Sequence, residues 1–335
     1  MSLDPTPEAP LLEVSGLTIA FPTRSGVAVA ANGVDLRLAR GGTLGLVGES
    51  GCGKSVSLRA IMGLVPRPGA VIGGSVRFLG RELIGLTDAQ LTQIRGSEIS
   101  MIFQDPGSSL DPVLTIGDQL QETLRHKLGL DPTAAQARSL ELLDRVGIPE
   151  PGRRLRDYPH QLSGGMRQRV MIALAIAPRP ALLLADEPTT ALDVSVQDQV
   201  LALLAQIRQE DGMAMVLVSH DVGVIAENCD DVAVMYAGYI VERGTTAVVL
   251  GSASHPYTRG LLAALPDVSD VGERGRLVPI TGQPPNIADL PPGCPFGPRC
   301  PLVTAACSDV DMSVAVRADG HLTACPFATS DGGQR

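Results

Sequence analysis

The sequence predicts an α/β chain: a mostly parallel sheet flanked by helices, interrupted by a helical insertion and followed by a small irregular C-terminal module. Three observations carry that prediction. Short apolar runs alternate with segments of helical spacing on either side of the chain's middle, the pattern of strand–helix units in a parallel sheet. Between about Leu114 and Ala177 helical segments follow one another with no strand between them. Beyond about Thr245 the regularity fades, Pro and Gly accumulate over 266–300, and four of the 6 cysteines fall between Cys294 and Cys325.

Taken in order, LEVSGLTIAF and VDLRLARGG within 11–45 read as strands and hairpins. TLGLVG (43–48) is a short buried strand that runs into a Gly-rich turn, and SVSLRAIMGLV (55–65) continues with helical spacing. SVRFLGREL (75–83) is a further strand and turn. LTIGDQLQETLRHKLGL and PTAAQARSLELLDRVGI carry apolar residues three and four apart, so both are amphipathic helices. Asp131 followed by Pro132 suits an N-cap with Pro at the first helical position. ALLLAD (181–186) is a buried strand, SVQDQVLALLAQIRQE a helix, MAMVLVS (213–219) a strand, DVGVIAEN a helix and DVAVMYAG a strand. The sequence has no internal repeat of the length that solenoids use.

Composition narrows the function. The chain has 335 residues, 44% of them apolar, with 3% aromatic residues and no Trp, so its core is aliphatic. A net charge of −9 argues against a sleeve for nucleic acid or a basic membrane-surface protein. The start has neither a basic n-region nor an apolar h-region, so no signal peptide is expected. The longest near-apolar stretches, Val170–Pro178 and Ala181–Ala185, fall well short of the roughly 20 residues that cross a bilayer. The expectation is a cytoplasmic chain with reduced thiols, in which four clustered cysteines read as a metal site rather than a disulfide pair.

Gly48-Glu49-Ser50-Gly51-Cys52-Gly53-Lys54-Ser55 fits G-x-x-x-x-G-K-[ST], with a strand before it and a helix after it. Glycines let backbone N–H groups turn toward phosphate oxygens, and the helix N-terminus adds its positive end. Lys54 reaches the β- and γ-phosphates, and the Ser55 hydroxyl is a ligand for Mg²⁺. Hydrolysis also needs a carboxylate for the metal and a base for water. Asp186, at the end of the strand ALLLAD, is positioned for the first task and Glu187 for the second. Leu162-Ser163-Gly164-Gly165 opens a second apolar helix, whose serine hydroxyl and bare amides make another anion site.

With these residues in order, the chain resembles the ATP-binding subunit of an ABC transporter over about 1–250. The order is P-loop, Gln104 in MIFQDP, LSGG, the Asp186 strand, Ala191-Leu192-Asp193, then Ser219-His220-Asp221. The resemblance implies a P-loop NTPase fold: a mostly parallel sheet core, an antiparallel β subdomain and a helical subdomain at about 114–177. It also implies roles. Gln104 touches Mg²⁺ or the attacking water and senses the membrane partner. Asp193 belongs to a loop at the dimer interface, and His220 contacts the γ-phosphate. In the family two such domains pair head to tail, so that the P-loop of one faces the Ser163–Gly165 segment of the other across ATP. Phe21 is the candidate for stacking on adenine, with an ordinary strand residue as the alternative.

HPYTRGLLAALP (255–266) and CPFGPRCP (294–301) resemble the C-terminal extension of the peptide and nickel import subfamily, covering 251–335. Cys294, Cys300, Cys307 and Cys325 are spaced C-x5-C-x6-C-x17-C, unlike the C-x2-C pairs of most zinc modules. A structural [4Fe–4S] cluster, zinc, or free thiols are the alternatives, and the subfamily resemblance points to the cluster. His321, near Cys325, is expected at the surface, and Cys52 and Cys229 are expected to be incidental. The implied function is an ATP-hydrolysing importer motor on the cytoplasmic face of the membrane. Its implied partners are a second, related ATPase subunit, two permease subunits and an extracytoplasmic substrate-binding protein. A soluble ATPase acting on nucleic acid or the ribosome is the alternative, and the acidic charge and single cassette weigh against it.

Overall fold

The computed structural model describes residues 9–24, 26–65, 70–190, 192–264, 279–316 and 321–327. Its strands are β1 (Leu12–Thr23), β2 (Gly26–Leu38), β3 (Thr43–Val47), β4 (Val71–Phe78), β5 (Arg81–Glu82), β6 (Ile99–Ile102), β7 (Leu182–Asp186), β8 (Ala214–Ser219), β9 (Asp231–Tyr236), β10 (Tyr239–Thr245), β11 (Ala315–Val316) and β12 (Leu322–Thr323). The chain divides into two units. One comprises Met1–Ala39, Thr43–Gly85 and Leu217–Arg335, and the other Arg40–Gly42 and Leu86–Val216.

In the first unit, β2-β1-β4-β5 form an antiparallel sheet. The β1–β2 hairpin pairs Leu12 with Leu38 at one end and Thr23 with Gly26 at the other. Leu12, Val14, Leu17 and Ile19 of β1 are buried. Their spacing changes by one residue at Ser15–Gly16, where the register shifts between Val14 and Leu17. That extra residue keeps the apolar side chains on one face through the bend.

The same unit carries the order β11-β12-β10-β9-β3, with residues 217–219 of β8 beside β3. β3 and β9 run parallel, as the strand–helix alternation predicts. Every residue of β3 is buried, the pattern of a strand covered on both faces. β10 returns antiparallel to β9 through Ala237–Gly238, and β12 and β11 add antiparallel at its edge. This edge was not legible as strand: β11 and β12 are two residues each, too short to show a period.

In the second unit β6 and β7 pair in parallel. Helices form within both amphipathic segments, over Ile116–Leu128 and Pro132–Arg145. Thr115 caps the helix Ile116–Leu128, reciprocating with Asp118 in a capping box. Arg125, His126 and Lys127 occupy its last turn, where cations favour the helix dipole, and left-handed Gly129 ends it. Asp131 Oδ1 accepts from Thr133 N at 2.9 Å and Ala134 N at 3.0 Å, with Pro132 at the first position of the helix Pro132–Arg145. Leu120, Leu124, Leu142, Leu143 and Ile172 are fully buried where these helices pack against Gly164–Ile176. Each such side chain contributes about 1.5–3 kcal/mol of burial.

Candidate functional site

The first unit holds the phosphate-loop residues. β3 delivers the chain to Gly48, and the helix Lys54–Ile61 begins five residues after Glu49. Gly53 adopts φ 112°, and a Cβ there would lie 2.2 Å from the Ala30 carbonyl oxygen. Gly48 is as constrained, since a Cβ would meet the Met235 carbonyl oxygen at 2.1 Å. These glycines are therefore required by close backbone approach as well as by the turn. Lys54 is buried, and its Nζ donates to the carbonyls of Gly48 at 2.7 Å and Glu49 at 3.0 Å. Cys52 is buried beside it, and burial pushes its thiol pKa up. Ser50 and Gly51 complete the turn, and Ser55 lies in the first turn of the helix. Phe21 lies in β1 opposite Ala28, half-buried. His220 follows β8 and is exposed, one residue before Asp221, which caps the helix Val222–Asn228.

The second unit brings Gln104 and Glu187 together. Gln104, two residues beyond β6, donates from Nε2 to Glu187 Oε2 at 3.1 Å. Thr190 Oγ1 donates to the same oxygen at 2.8 Å, a partner that the sequence did not single out. Glu187 takes φ 47°, left-handed backbone that a non-glycine residue rarely adopts. Such strain persists where surrounding contacts dictate it. Asp186, the last residue of β7, is 1% exposed. Ser163 caps the helix Gly164–Ile176 by accepting from Met166 N at 3.3 Å. That bond uses the hydroxyl's lone pair and leaves its proton to be donated. Gly165 is close to Val196, whose Cγ1 would lie 2.9 Å from a Cβ. Asp193 is exposed at the N-cap of the helix Val194–Asp211. Ala191 lies outside the described residues.

The C-terminal residues of the first unit build two further features. Cys294, Cys300, Cys307 and Cys325 all line one cavity of 220 Å³, together with His255 and Phe296. Burial raises the thiol pKa values of Cys294 and Cys300, and the neighbouring cysteines add to the shift. Among the described residues, no group of three or more His, Cys, Asp or Glu side chains is arranged to hold a metal ion.

The second feature lies at the phosphate loop. Arg299 forms a two-pronged ion pair with Glu49, Nη1 to Oε2 at 2.6 Å and Nη2 to Oε1 at 3.0 Å. Glu49 N donates to Tyr257 Oη at 2.9 Å. Tyr257 packs against Tyr236 and Phe296, with ring centroids 4.5 and 5.4 Å away. His321 is not at the surface as expected: it is 1% exposed, with Nε2 2.7 Å from Glu242 Oε1. Glu242, itself fully buried, also accepts from the backbone N–H groups of Ser254 and His255. The buried carboxylate requires partners and draws the imidazole inward.

Residues 31–190 match the ABC transporter family, and residues 241–307 match the oligopeptide/dipeptide transporter C-terminal region. The dipeptide transport ATP-binding protein DppD of Bacillus subtilis is 46% identical over 316 residues, 94% of each chain. The chain belongs to the ABC transporter family. Among other ABC proteins, the oligopeptide transport ATP-binding protein OppD of Haemophilus influenzae is 49% identical over 298 residues, 89% of this chain and 91% of its own. The ATP-binding cassette MJ0796, solved as a dimer bound to ADP and Pi, superposes with a TM-score of 0.64 at 30% identity, covering 70% of this chain and 98% of that one. The fold is thus that of an ABC ATPase. Among the described residues no helix is long and apolar enough to cross a membrane.

Proposed function

We propose that the chain is the ATP-hydrolysing motor of an ABC importer for peptides, peripheral to the membrane and working through two separate permease subunits. A substrate-binding protein outside the membrane supplies the peptide. The observation that carries this reading is the near full-length similarity, C-terminal region included, to dipeptide and oligopeptide transport ATP-binding proteins. Residues 1–250 are the nucleotide-binding part and 251–335 the extension. Two ATPase subunits pair, this chain with a related one, so that two sites form between P-loop and Ser163–Gly165 segments.

The roles follow from the chemistry of the side chains. Lys54, now turned onto carbonyls, moves its ammonium to the phosphate oxygens, and the amides around Gly48, Ser50, Gly51 and Gly53 cradle them. The Ser163 hydroxyl retains a proton to donate to a γ-phosphate oxygen of the opposing site, beside the Gly164 and Gly165 amides. Asp193 contacts the opposing subunit and Phe21 stacks on adenine. Ser55, Gln104 and Asp186 offer the hard oxygen donors that Mg²⁺ takes and would hold it. The ion supplies charge neutralisation of the phosphates. Glu187 takes the proton of the attacking water, with Gln104 and Thr190 fixing its Oε2, and His220 contacts the γ-phosphate. Closure on ATP and opening after hydrolysis drive the permease.

The substitution Glu187→Gln in the assembled transporter leaves ATP binding intact and abolishes steady turnover, whereas Lys54→Ala weakens ATP binding itself. Normal turnover by the Glu187→Gln complex would overturn the assignment.

We infer further that the four C-terminal cysteines hold a structural [4Fe–4S] cluster. Their shared cavity of 220 Å³ supports this. A lone zinc draws four sulfurs to within about 2.3 Å of one point, whereas a cube of iron and sulfide stands between its thiolates and needs room. Burial that raises the pKa values of Cys294 and Cys300 fits thiols that become thiolates only with a metal to stabilise them.

A further inference from the structure

We propose that Arg299 and Tyr257 are positioning residues for the ATP phosphate loop: they hold Glu49 in place when Lys54 leaves its carbonyl to engage nucleotide. The proposal rests on the reading of 48–55 as an ATP site.

Glu49 occupies a position at which the loop pattern accepts any residue, yet all its polar groups are engaged. Its carboxylate takes both prongs of Arg299, 250 positions away, and its N–H is accepted by Tyr257 Oη, 208 positions away. Its carbonyl accepts from Lys54 Nζ. Nucleotide binding asks Lys54 to surrender that bond and the one to the Gly48 carbonyl. A loop that relied on Lys54 for its shape would loosen as its ligand arrived. The Glu49 carbonyl keeps a 3.3 Å bond from Cys52 N within the loop itself, and the holds by Arg299 and Tyr257, which come from outside the loop, do not involve Lys54 and so persist through binding.

The clamp is itself rigid. The Arg299 side chain is 5% exposed. Arg299 Nε donates to the Thr281 carbonyl at 3.0 Å, and Nη1 also reaches Tyr236 Oη at 3.3 Å. Tyr257 is fully buried against Tyr236 and Phe296. Arg299 closes the turn Gly297–Arg299, which stands between Cys294 and Cys300. The fold around the cysteine cavity therefore sets where the guanidinium sits, and the guanidinium sets where the phosphate loop begins. Pre-organisation of this kind lowers the ordering cost of binding.

The test uses the full-length chain for ATP titration and thermal unfolding, and the assembled transporter for ATPase kinetics. Arg299→Gln and Glu49→Gln should each raise the Kd for ATP about ten-fold, the scale of a charge-assisted pair. The double variant should be no weaker than either single one, because both remove the same pair. Arg299→Lys should recover part of the loss, since it keeps the charge and forfeits the fork. KM for ATP should rise with kcat within about two-fold of wild type, as expected when binding alone is weakened. If Arg299→Gln fails to fold, Glu49→Gln carries the test, because Arg299 keeps its bonds to Thr281 and Tyr236. ATP affinity within two-fold of wild type in Glu49→Gln, or strictly additive losses in the double variant, would overturn the proposal. Lys54→Ala separates the two readings. If it binds ATP like wild type, the ATP-site assignment fails. If it loses binding while Glu49→Gln does not, only the positioning role fails.

Discussion

Acidification should destabilise this protein through His255, by an amount the structure sets. The imidazole is 1% exposed and caps the helix Pro256–Ala263, with Nδ1 accepting from Tyr257 N at 3.1 Å. Phe296 lies 6.0 Å from its ring centroid, and Glu242 accepts from its backbone N–H. Burial lowers its pKa from 6.5 to about 4. A proton on Nδ1 would also abolish the cap. In the unfolded chain His255 binds a proton below about pH 6.5, while in the folded chain it resists until about pH 4. Stability is therefore complete above pH 6.5 and lost as pH falls toward 4. At about 1.36 kcal/mol per pKa unit, the loss by pH 4.5 is on the order of 2–3 kcal/mol. Other groups titrate in the same range, so the reference is His255→Asn, which caps the helix without binding a proton. Guanidinium unfolding followed by circular dichroism, suited to a chain without Trp, gives both stabilities at pH 7.5 and 4.5. The difference between wild type and variant should shift by roughly 2–3 kcal/mol against wild type. A difference that does not change with pH would refute the reasoning.

Two further outcomes follow from the structure. Anaerobically purified protein should be brown, with iron, acid-labile sulfide and broad visible absorbance, while stoichiometric zinc without iron would exclude the cluster. The substitution Asp131→Ala removes the acceptor for two helix-start amides and should cost about 1 kcal/mol, read as faster hydrogen exchange at Thr133 and Ala134 with ATP affinity unchanged.

The parts of the fold that could be read from the sequence are those set by local rules. The buried strands β3, β7 and β8 are continuous apolar runs, and Asp131 and Ser163 each mark a helix start by capping chemistry that acts within three or four residues. Lys54, Asp186 and Glu187 were legible because a motif fixes their spacing relative to a strand end. What could not be read depends on partners far along the chain. Thr190 is ordinary in sequence and acquires its significance from the turn that aims it at Glu187. Glu49 lies at a position the motif leaves open, and its partners come from the last third of the chain. His321 looked like a surface residue because nothing local discloses that Glu242, in the middle of β10, is buried and within reach of it.

That buried carboxylate bears on how the protein is made. Glu242 is enclosed by Ser254, His255 and His321, all later in the chain. During synthesis, β10 leaves the ribosome well before its last partner does. Until His321 arrives, closing the sheet edge would enclose a carboxylate short of a counterpart, a state that costs several kcal/mol. The full set of Glu242 partners is therefore assembled only once residue 321 has emerged, and a chain cut short before residue 321 would leave Glu242 with the Ser254 and His255 amides alone.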